Sequence, residues 1–194
     1  MENDNGAIVL ASASPRRTEL LSFAGVSFSV VPADICEDAL PGELPADHVV
    51  RLSREKAEAV AAKTAGRFFI GADTIVVLDG AILGKPVDAD DAARMLRGLS
   101  GRDHQVITGF TVYDSVSAMC LSRTVSTEVT FKKLEEKEIA AYIATGCPMD
   151  KAGAYAIQGG AVHFVRSITG SYTNVIGLPM TELYEALQTM KALE

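Results

Sequence analysis

The sequence predicts an α/β protein: a mixed, twisted sheet with flanking helices, arranged as two lobes around a central cleft. Three observations carry this expectation. Strand-like and helix-like segments alternate at both ends of the chain, the pattern of βαβ units. The middle, Val106 to Asp114 and Met119 to Phe131, reads as a hairpin of two long strands. The chain has 194 residues, which suits a single domain over 1–194, or two small lobes sharing one sheet, with a sizeable core.

The first strand is expected at Ala7 to Leu10. Ala11 to Arg17 follows as a small-residue loop, with Ser14 suited to an N-cap and Pro15 to the first helical position. The helix start aims backbone N–H groups and a positive dipole end at one spot. Arg16 and Arg17 oppose that dipole, and an anion bound there would offset the conflict; two solvated arginines are the alternative. Gly25 ends the helix, Phe28 to Val31 reads as a strand, and Asp34 to Asp47 as an acidic loop holding Glu37 and Asp38.

Asp47 can cap a helix from His48 to about Thr64. At about 100° per residue, Val49, Leu52, Ser53, Lys56, Ala57 and Val60 share one face, so Lys56 falls in the middle of the face that should be buried. It either snorkels or reaches through the helix–sheet interface into a polar site. Phe68 to Ile70 is an apolar run that breaks at Gly71-Ala72, and Asp73 stands before a second run, Ile75 to Leu78. An acid there is costly unless something needs it. Asp79-Gly80 signals a hairpin turn, and Ala81 to Leu83 the returning strand that delivers Gly84-Lys85-Pro86.

Asp88 caps a helix through Leu99, with Ala92, Met95, Leu96 and Leu99 inward. In the strand ending at Phe131, Val125, Thr127, Val129 and Phe131 alternate with polar neighbours. Glu135 to Thr145 is a helix with Ile139, Tyr142 and Ile143 inward. Pro148 to Gly160 is a glycine-rich loop bearing Asp150, Lys151 and Gln158. Val162 to Ile168 is a strand, Thr169 to Asn174 a small-polar loop, and Pro179 opens a last helix burying Met180, Leu183, Tyr184, Leu187 and Met190.

Composition narrows the function classes. With 48% hydrophobic and 22% charged residues the chain is ordinary globular material. A formal net charge of −7 with no basic run argues against a nonspecific nucleic-acid binder, though not against a small anionic substrate. Three scattered cysteines and three isolated histidines form no zinc or disulfide pattern, which fits a reducing cytoplasm. No basic n-region precedes an apolar stretch, and no apolar run reaches about 18 residues, so neither signal peptide nor membrane span is expected.

Four small-residue loops then hold the candidate chemistry: Ser12 to Arg17, Gly71 to Thr74, Asp150 to Gln158 and Ser171 to Asn174. Arg16, Arg17, Lys56, Lys85 and Lys151 could surround a polyphosphate. Glu37 and Asp73 could hold a hard divalent cation whose shell is completed by water and phosphate oxygens. Hydrolysis at phosphorus needs such parts: a metal, cations to absorb charge, and an acid that takes a proton from water. Neither a Walker A pattern nor G-x-G-x-x-G is present.

SASPRR at Ser12 to Arg17, GADT with GKP between Gly71 and Pro86, DKAGAYAIQG at Asp150 to Gly159, and GSY-x-N-x-x-GLP at Gly170 to Pro179 resemble the Maf family of nucleoside triphosphate pyrophosphatases. The match runs in order through nearly the whole chain. It implies a fold related to the inosine triphosphate pyrophosphatases and a cytoplasmic enzyme that cleaves a nucleoside triphosphate between the α- and β-phosphates. It also implies a divalent metal, Mg²⁺ or Mn²⁺, on Asp73 and Glu37. By position, Asp73 matches the family's catalytic acid, the proposed proton acceptor, with Glu37 and Lys56 beside it and either acid open as the group that activates water. Ser12, Arg16, Arg17, Thr74, Lys85 and Gln158 match substrate-binding positions. Arg16-Arg17, Lys85 and Gln158 are similar to the branch acting on dTTP and UTP, with modified pyrimidine nucleotides in a housecleaning role. Cys36 departs from the family pattern, where relatives often carry a second acid, so Asp34 and Asp38 remain alternatives for sharing the metal. The resemblance also brings an association with septum formation and cell-division arrest; the alternative function is therefore a nucleotide-sensing regulator that acts by binding. Whether the chain forms a homodimer is left open by the sequence. As a strand-end acid, Asp73 is expected to matter to turnover and little to stability.

Overall fold

The computed structural model describes residues 8–193. Ala7, the expected start of the first strand, lies outside them. In chain order the elements are β1 (Ile8–Leu10), α1 (Pro15–Phe23), β2 (Phe28–Val30), α2 (Pro45–Ala61), β3 (Phe68–Leu78), β4 (Ala81–Leu83), α3 (Ala89–Leu99), β5 (Asp103–Asp114), β6 (Met119–Phe131), α4 (Glu136–Ala144), two 3₁₀ turns (Cys147–Asp150 and Ala152–Ala154), β7 (Val165–Thr169), α5 (Tyr172–Ile176) and α6 (Met180–Thr189). The strands form one seven-stranded sheet in the order β2-β1-β3-β5-β6-β7, with β4 paired to β3 off that path. β1 runs parallel to β2 and β3, whereas β3/β4 and β6/β7 are antiparallel, so the mixed α/β class is the one observed. Among the described residues no helix is long and apolar enough to cross a membrane.

The described residues divide into two compact units. The first draws on Met1–Asp73, Thr108–Val125 and Gly177–Glu194, so far as these are described; the second on Thr74–Ile107 and Ser126–Ile176. In the first unit the period-2 alternation of β1 and β3 decides which helix each residue meets. Ile8, Leu10, Phe68, Ile70 and Ala72 share a buried cluster with Leu21 of α1 and Leu183, Ala186 and Leu187 of α6. Val9, Ala11 and Phe69 form another cluster with Ala57 and Val60 of α2. Strands covered on both faces need the continuous apolar runs seen here, and each fully buried aliphatic or aromatic side chain contributes roughly 1.5–3 kcal/mol.

In the second unit α3 buries Ala92, Met95, Leu96 and Leu99, and α4 buries Ile139 and Tyr142, as their periodicity predicts. Edge-to-face rings tie this core together: Phe131 and Tyr155 lie with centroids 4.7 Å apart, and Tyr142 and Phe164 at 5.3 Å. His104 stands among them, 4.9 Å from the Phe131 ring, with Nε2 2.8 Å from the Tyr155 hydroxyl. Its Nδ1 is buried with no hydrogen-bond partner among the described residues.

Several expected boundaries are corrected. β3 does not break at Gly71 but runs unbroken from Phe68 to Leu78. α2 starts at Pro45, with Leu44 at the N-cap; Asp47 lies in the first turn instead, where it still favours the dipole. The strand expected from Val162 begins at Val165, because Phe164 N–H is taken by the Ala161 carbonyl at 2.9 Å in a turn. The stretch after Pro148 is partly 3₁₀, and Tyr172–Ile176 is helical. There a polar anchor replaces apolar periodicity: buried Asn174 donates through Nδ2 to the Val106 carbonyl at 3.0 Å and to Thr127 Oγ1 at 2.9 Å. Tyr184, expected inward, is exposed, since it stands about 100° around α6 from Leu183. The Asp79-Gly80 turn is as expected, both residues having positive φ as a two-residue hairpin of this hand requires.

Burial pushes the His104 imidazole down to about 4, against a smaller opposing influence from Asp103. A histidine held neutral in the fold and free to protonate when unfolded makes stability rise with pH between about 4 and 6.5 and level off above. Acidification from pH 7 to 4 is expected to remove about 3 kcal/mol through this group. Urea unfolding across that range should show a shallower pH dependence for His104→Gln than for the unaltered chain; equal slopes would refute the assignment.

Candidate active site

Alternation along β3 places Phe69, Gly71 and Asp73 on the face that meets α2. Gly71 lets the helix come close: a Cβ there would lie 1.9 Å from the Ser53 carbonyl oxygen and 2.8 Å from Ala57 N. Gly109 of β5 does the same one turn earlier, where a Cβ would lie 2.5 Å from the Val49 carbonyl. Backbone thus rests on backbone at two points. Hydroxyls reinforce the seat, Ser53 Oγ lying 2.8 Å from Thr111 Oγ1, which is 2.8 Å from Ser122 Oγ.

That seat delivers Lys56 to Asp73. Lys56 Nζ donates to Asp73 Oδ1 at 2.6 Å, and lies 2.6 Å from Glu37 Oε1. Lys56 and Asp73 are 7% and 8% exposed, so of the two readings of this lysine the structure supports the one that reaches a polar site. Glu37 is more open, its side chain 45% exposed. Of the other loop acids, Asp38 accepts a hydrogen bond from Cys36 Sγ at 3.3 Å, and Asp34 is exposed. Asp73 is therefore not a strand-end acid but a buried mid-strand carboxylate with a charged partner, and its expected indifference to stability is corrected accordingly.

The start of α1 gathers at the same unit. Ser14 occupies the N-cap without a side-chain cap, Pro15 stands first, and the first turn holds no acid. Ser12, 5% exposed, accepts from Ser14 N and from Arg17 Nη1, both at 3.2 Å. From sequence Arg16 and Arg17 are equivalent; their surroundings are not. Arg17 donates through Nη1 to the Ala72 carbonyl at 2.8 Å and through Nε to the Gly177 carbonyl at 2.7 Å, bracing the helix start to the residue before Asp73. Burial pushes its guanidinium below the ordinary range, with the charge of Asp73 the main opposing influence. Arg16 is half-buried in the same turn. Backbone acceptors such as Ala72 and Gly177 leave no side-chain signal in a sequence, which is why this bracing was not legible.

Thr74, Lys85 and Gln158 belong to the second unit. Thr74 and Gln158 are half-buried and Lys85 exposed. The loop bearing Gln158 is held at several points. Gly153 N–H donates to the Gly84 carbonyl at 3.0 Å, beside Lys85, and Ala156 N–H to the Tyr142 hydroxyl at 3.3 Å. Gly153 has φ +66°, and a Cβ there would meet Val76 at 2.9 Å, so glycine is required twice over. Lys151 and Asp150 pair with each other. His104, which anchors Tyr155 of this loop, was missed from sequence because a lone histidine carries no pattern.

The structure thus brings Ser12, Arg17, Glu37, Lys56 and Asp73 together in a mixed-sheet α/β frame, an anion-suited helix start beside a lysine–carboxylate cluster, the equipment of an α/β protein that handles phosphate-bearing ligands. Comparison with known proteins narrows that class. The profile of the family described as Maf-like protein matches residues 7–190. The chain is 61% identical over 189 residues to the dTTP/UTP pyrophosphatase of Geobacter sp. (strain M21), covering 97% of this chain and 98% of that protein. It is 61% identical over 190 residues to the dTTP/UTP pyrophosphatase of Geobacter sulfurreducens, covering 98% of this chain and 100% of that protein. The corresponding protein of Anaeromyxobacter dehalogenans is 53% identical over 177 residues, covering 90% and 89%. The chain belongs to the Maf family.

Two outcomes follow from the geometry. Gly71→Ala must lift α2 from β3 and is expected to cost roughly 1–3 kcal/mol in urea unfolding, with a loss of turnover larger than that change in folded fraction. An unchanged midpoint would show that the helix is not seated there. Asp73→Asn leaves Lys56 with Glu37 as its remaining acid and is expected to lower stability by about 1.5–3 kcal/mol, the loss of one hydrogen bond between charged groups, while nearly abolishing turnover. Wild-type-like turnover would remove Asp73 from the chemistry.

Proposed function

We propose that the chain, acting as a single cytoplasmic domain, hydrolyses dTTP and UTP to the nucleoside monophosphate and pyrophosphate. The relatives named above support the substrate class. The observation that carries the chemistry is Lys56 held 2.6 Å from both Asp73 and Glu37, in the same unit as the Ser12–Arg17 helix start. Two hard carboxylates converging on one cation are a donor set that suits Mg²⁺ or Mn²⁺, which commonly use one or two carboxylates and complete their shell with water and phosphate oxygens. Asp73 and Glu37 would hold the ion, and bound there it would polarise the phosphate under attack.

The chain's own groups divide the remaining work. The N–H groups at the start of α1, Ser12 and Arg16 bind phosphate oxygens, and Arg17 keeps that turn fixed against Ala72 and Gly177. A carboxylate at Asp73 accepts the proton of the attacking water; the water oxygen bonds to phosphorus, the bridging bond between the α- and β-phosphates breaks, and pyrophosphate leaves. Lys56 holds the two acids in register and offsets part of their charge. Thr74, Lys85 and Gln158 take part in selecting the nucleotide, and modified pyrimidine nucleotides are further substrates in a housecleaning role.

Hydrolysis of UTP, dTTP and purine triphosphates with products resolved, in Mg²⁺ and in Mn²⁺, tests this. Uridine monophosphate and pyrophosphate in equal amounts are expected, with purine triphosphates slower. Orthophosphate released directly from UTP without pyrophosphate would sink the reaction assignment, and a marked purine preference would sink the substrate assignment.

A further inference from the structure

The segment from Asp34 to Leu44 carries Glu37 yet has no regular secondary structure, and most of its residues are exposed. Nothing in such a segment by itself would hold one carboxylate still. The restraint comes from α2. Arg51 donates through Nε to Glu43 Oε1 at 2.6 Å and through Nη2 to Glu43 Oε2 at 2.8 Å, a bidentate fork. The same Nη2 donates to the Asp38 carbonyl at 3.0 Å, one residue beyond Glu37. Glu43 also accepts from Leu40 N at 3.1 Å and lies 2.9 Å from His48 Nδ1. Its side chain is 8% exposed, whereas Arg54–Glu58 on the same helix is an exposed i,i+4 pair.

We propose that Arg51 and Glu43 are positioning residues, clamping the 34–44 segment onto α2 so that Glu37 faces Lys56. This rests on the reading of Glu37 as a site acid. Arg51 and Lys56 lie on one rigid helix, five positions apart in the chain, so the clamp and the ammonium that meets Glu37 move as one body. The planar fork matters: an ammonium at position 51 has a single nitrogen and cannot reproduce the two parallel bonds that Nε and Nη2 make to Glu43.

Turnover of dTTP by Glu37→Gln, Arg51→Met, Arg51→Lys, Glu43→Gln and the double variant Glu37→Gln/Arg51→Met tests the clamp, together with hydrogen–deuterium exchange of residues 34–44 in metal-free protein. Arg51→Met and Glu43→Gln are expected to lower kcat on the order of 10-fold or more, as loss of a positioning partner does, and to speed exchange in the segment. KM is expected to change less than about twofold, Arg51→Lys to fall between, and Arg51→Met to add nothing to the loss caused by Glu37→Gln. Glu43→Gln, nearly isosteric, carries the same test if Arg51→Met does not fold. Should Glu37→Gln turn over dTTP normally, the reading of Glu37 fails and the proposal with it. Impaired Glu37→Gln beside unimpaired Arg51→Met and Glu43→Gln would overturn the clamp alone. So would unchanged exchange, or an Arg51→Met loss that multiplies fully with that of Glu37→Gln.

Discussion

An ammonium with almost no access to water must be surrounded by acceptors, and Lys56 has two carboxylates within 2.6 Å. This requirement reaches into every nearby element. It fixes the rotation of α2, because turning the helix by one residue would swing the ammonium about 100° away from Asp73. It fixes the register of β3, because slipping the strand by one residue would turn Ala72 or Thr74 toward the helix. It also gives the 34–44 segment a reason to fold back, since Glu37 supplies the second counter-charge. A cluster of one cation and two acids keeps net negative charge.

Much of this was written plainly in the sequence. The inward face of α2, with Lys56 among Leu52, Ser53 and Ala57, followed from helical period alone. Alternation in β6 and the inward residues of α3 were equally direct, because apolar burial leaves a period that can be counted. The family motifs SASPRR and GADT held Ser12, Arg17 and Asp73, three of the residues that the fold gathers. What stayed hidden was of another kind. Gly71 looked like a strand break because glycine and alanine have low strand preference; tertiary packing overrode it, the missing side chain being the space that α2 fills. Reading Asp73 as a strand-end acid followed from that error. The bracing of Arg17 to Ala72 and Gly177, and of Gly153 to Gly84, runs through backbone carbonyls that have no residue signature. Nothing in the sequence sets Arg51 apart, and only the course of the preceding segment reveals its fork.

The second unit shows the same preference for buried polar anchors. Asn174 is fully enclosed and donates to Val106 and Thr127, turning an apparent loop into a short helix. His104 holds Tyr155 from within an aromatic cluster, and Tyr142 offers its hydroxyl to Ala156 N–H. Such bonds are individually modest, yet each is costly to leave unmade in a low-dielectric interior, so they select one conformation among several of similar apolar content. In the glycine-rich stretch around Gln158 these bonds add to the burial of Ala154, Tyr155 and Ala161.

The two glycines beneath α2 divide the helix's mutational landscape into separate regimes. Where backbone meets backbone, the spacing of Lys56 and Asp73 is set by a hard stop, not by the bulk of neighbouring side chains. Trimming Val49, Leu52 or Val60 reduces buried apolar surface and weakens the fold, but the helix still comes to rest against the same two points. Adding a single methyl group at position 71 or 109 has the opposite profile: every apolar side chain is kept, and the charges are drawn apart. Tolerance of apolar trimming along α2 and intolerance at two distant strand positions are thus two faces of one seat, and the helix keeps its place so long as those two carbons stay bare.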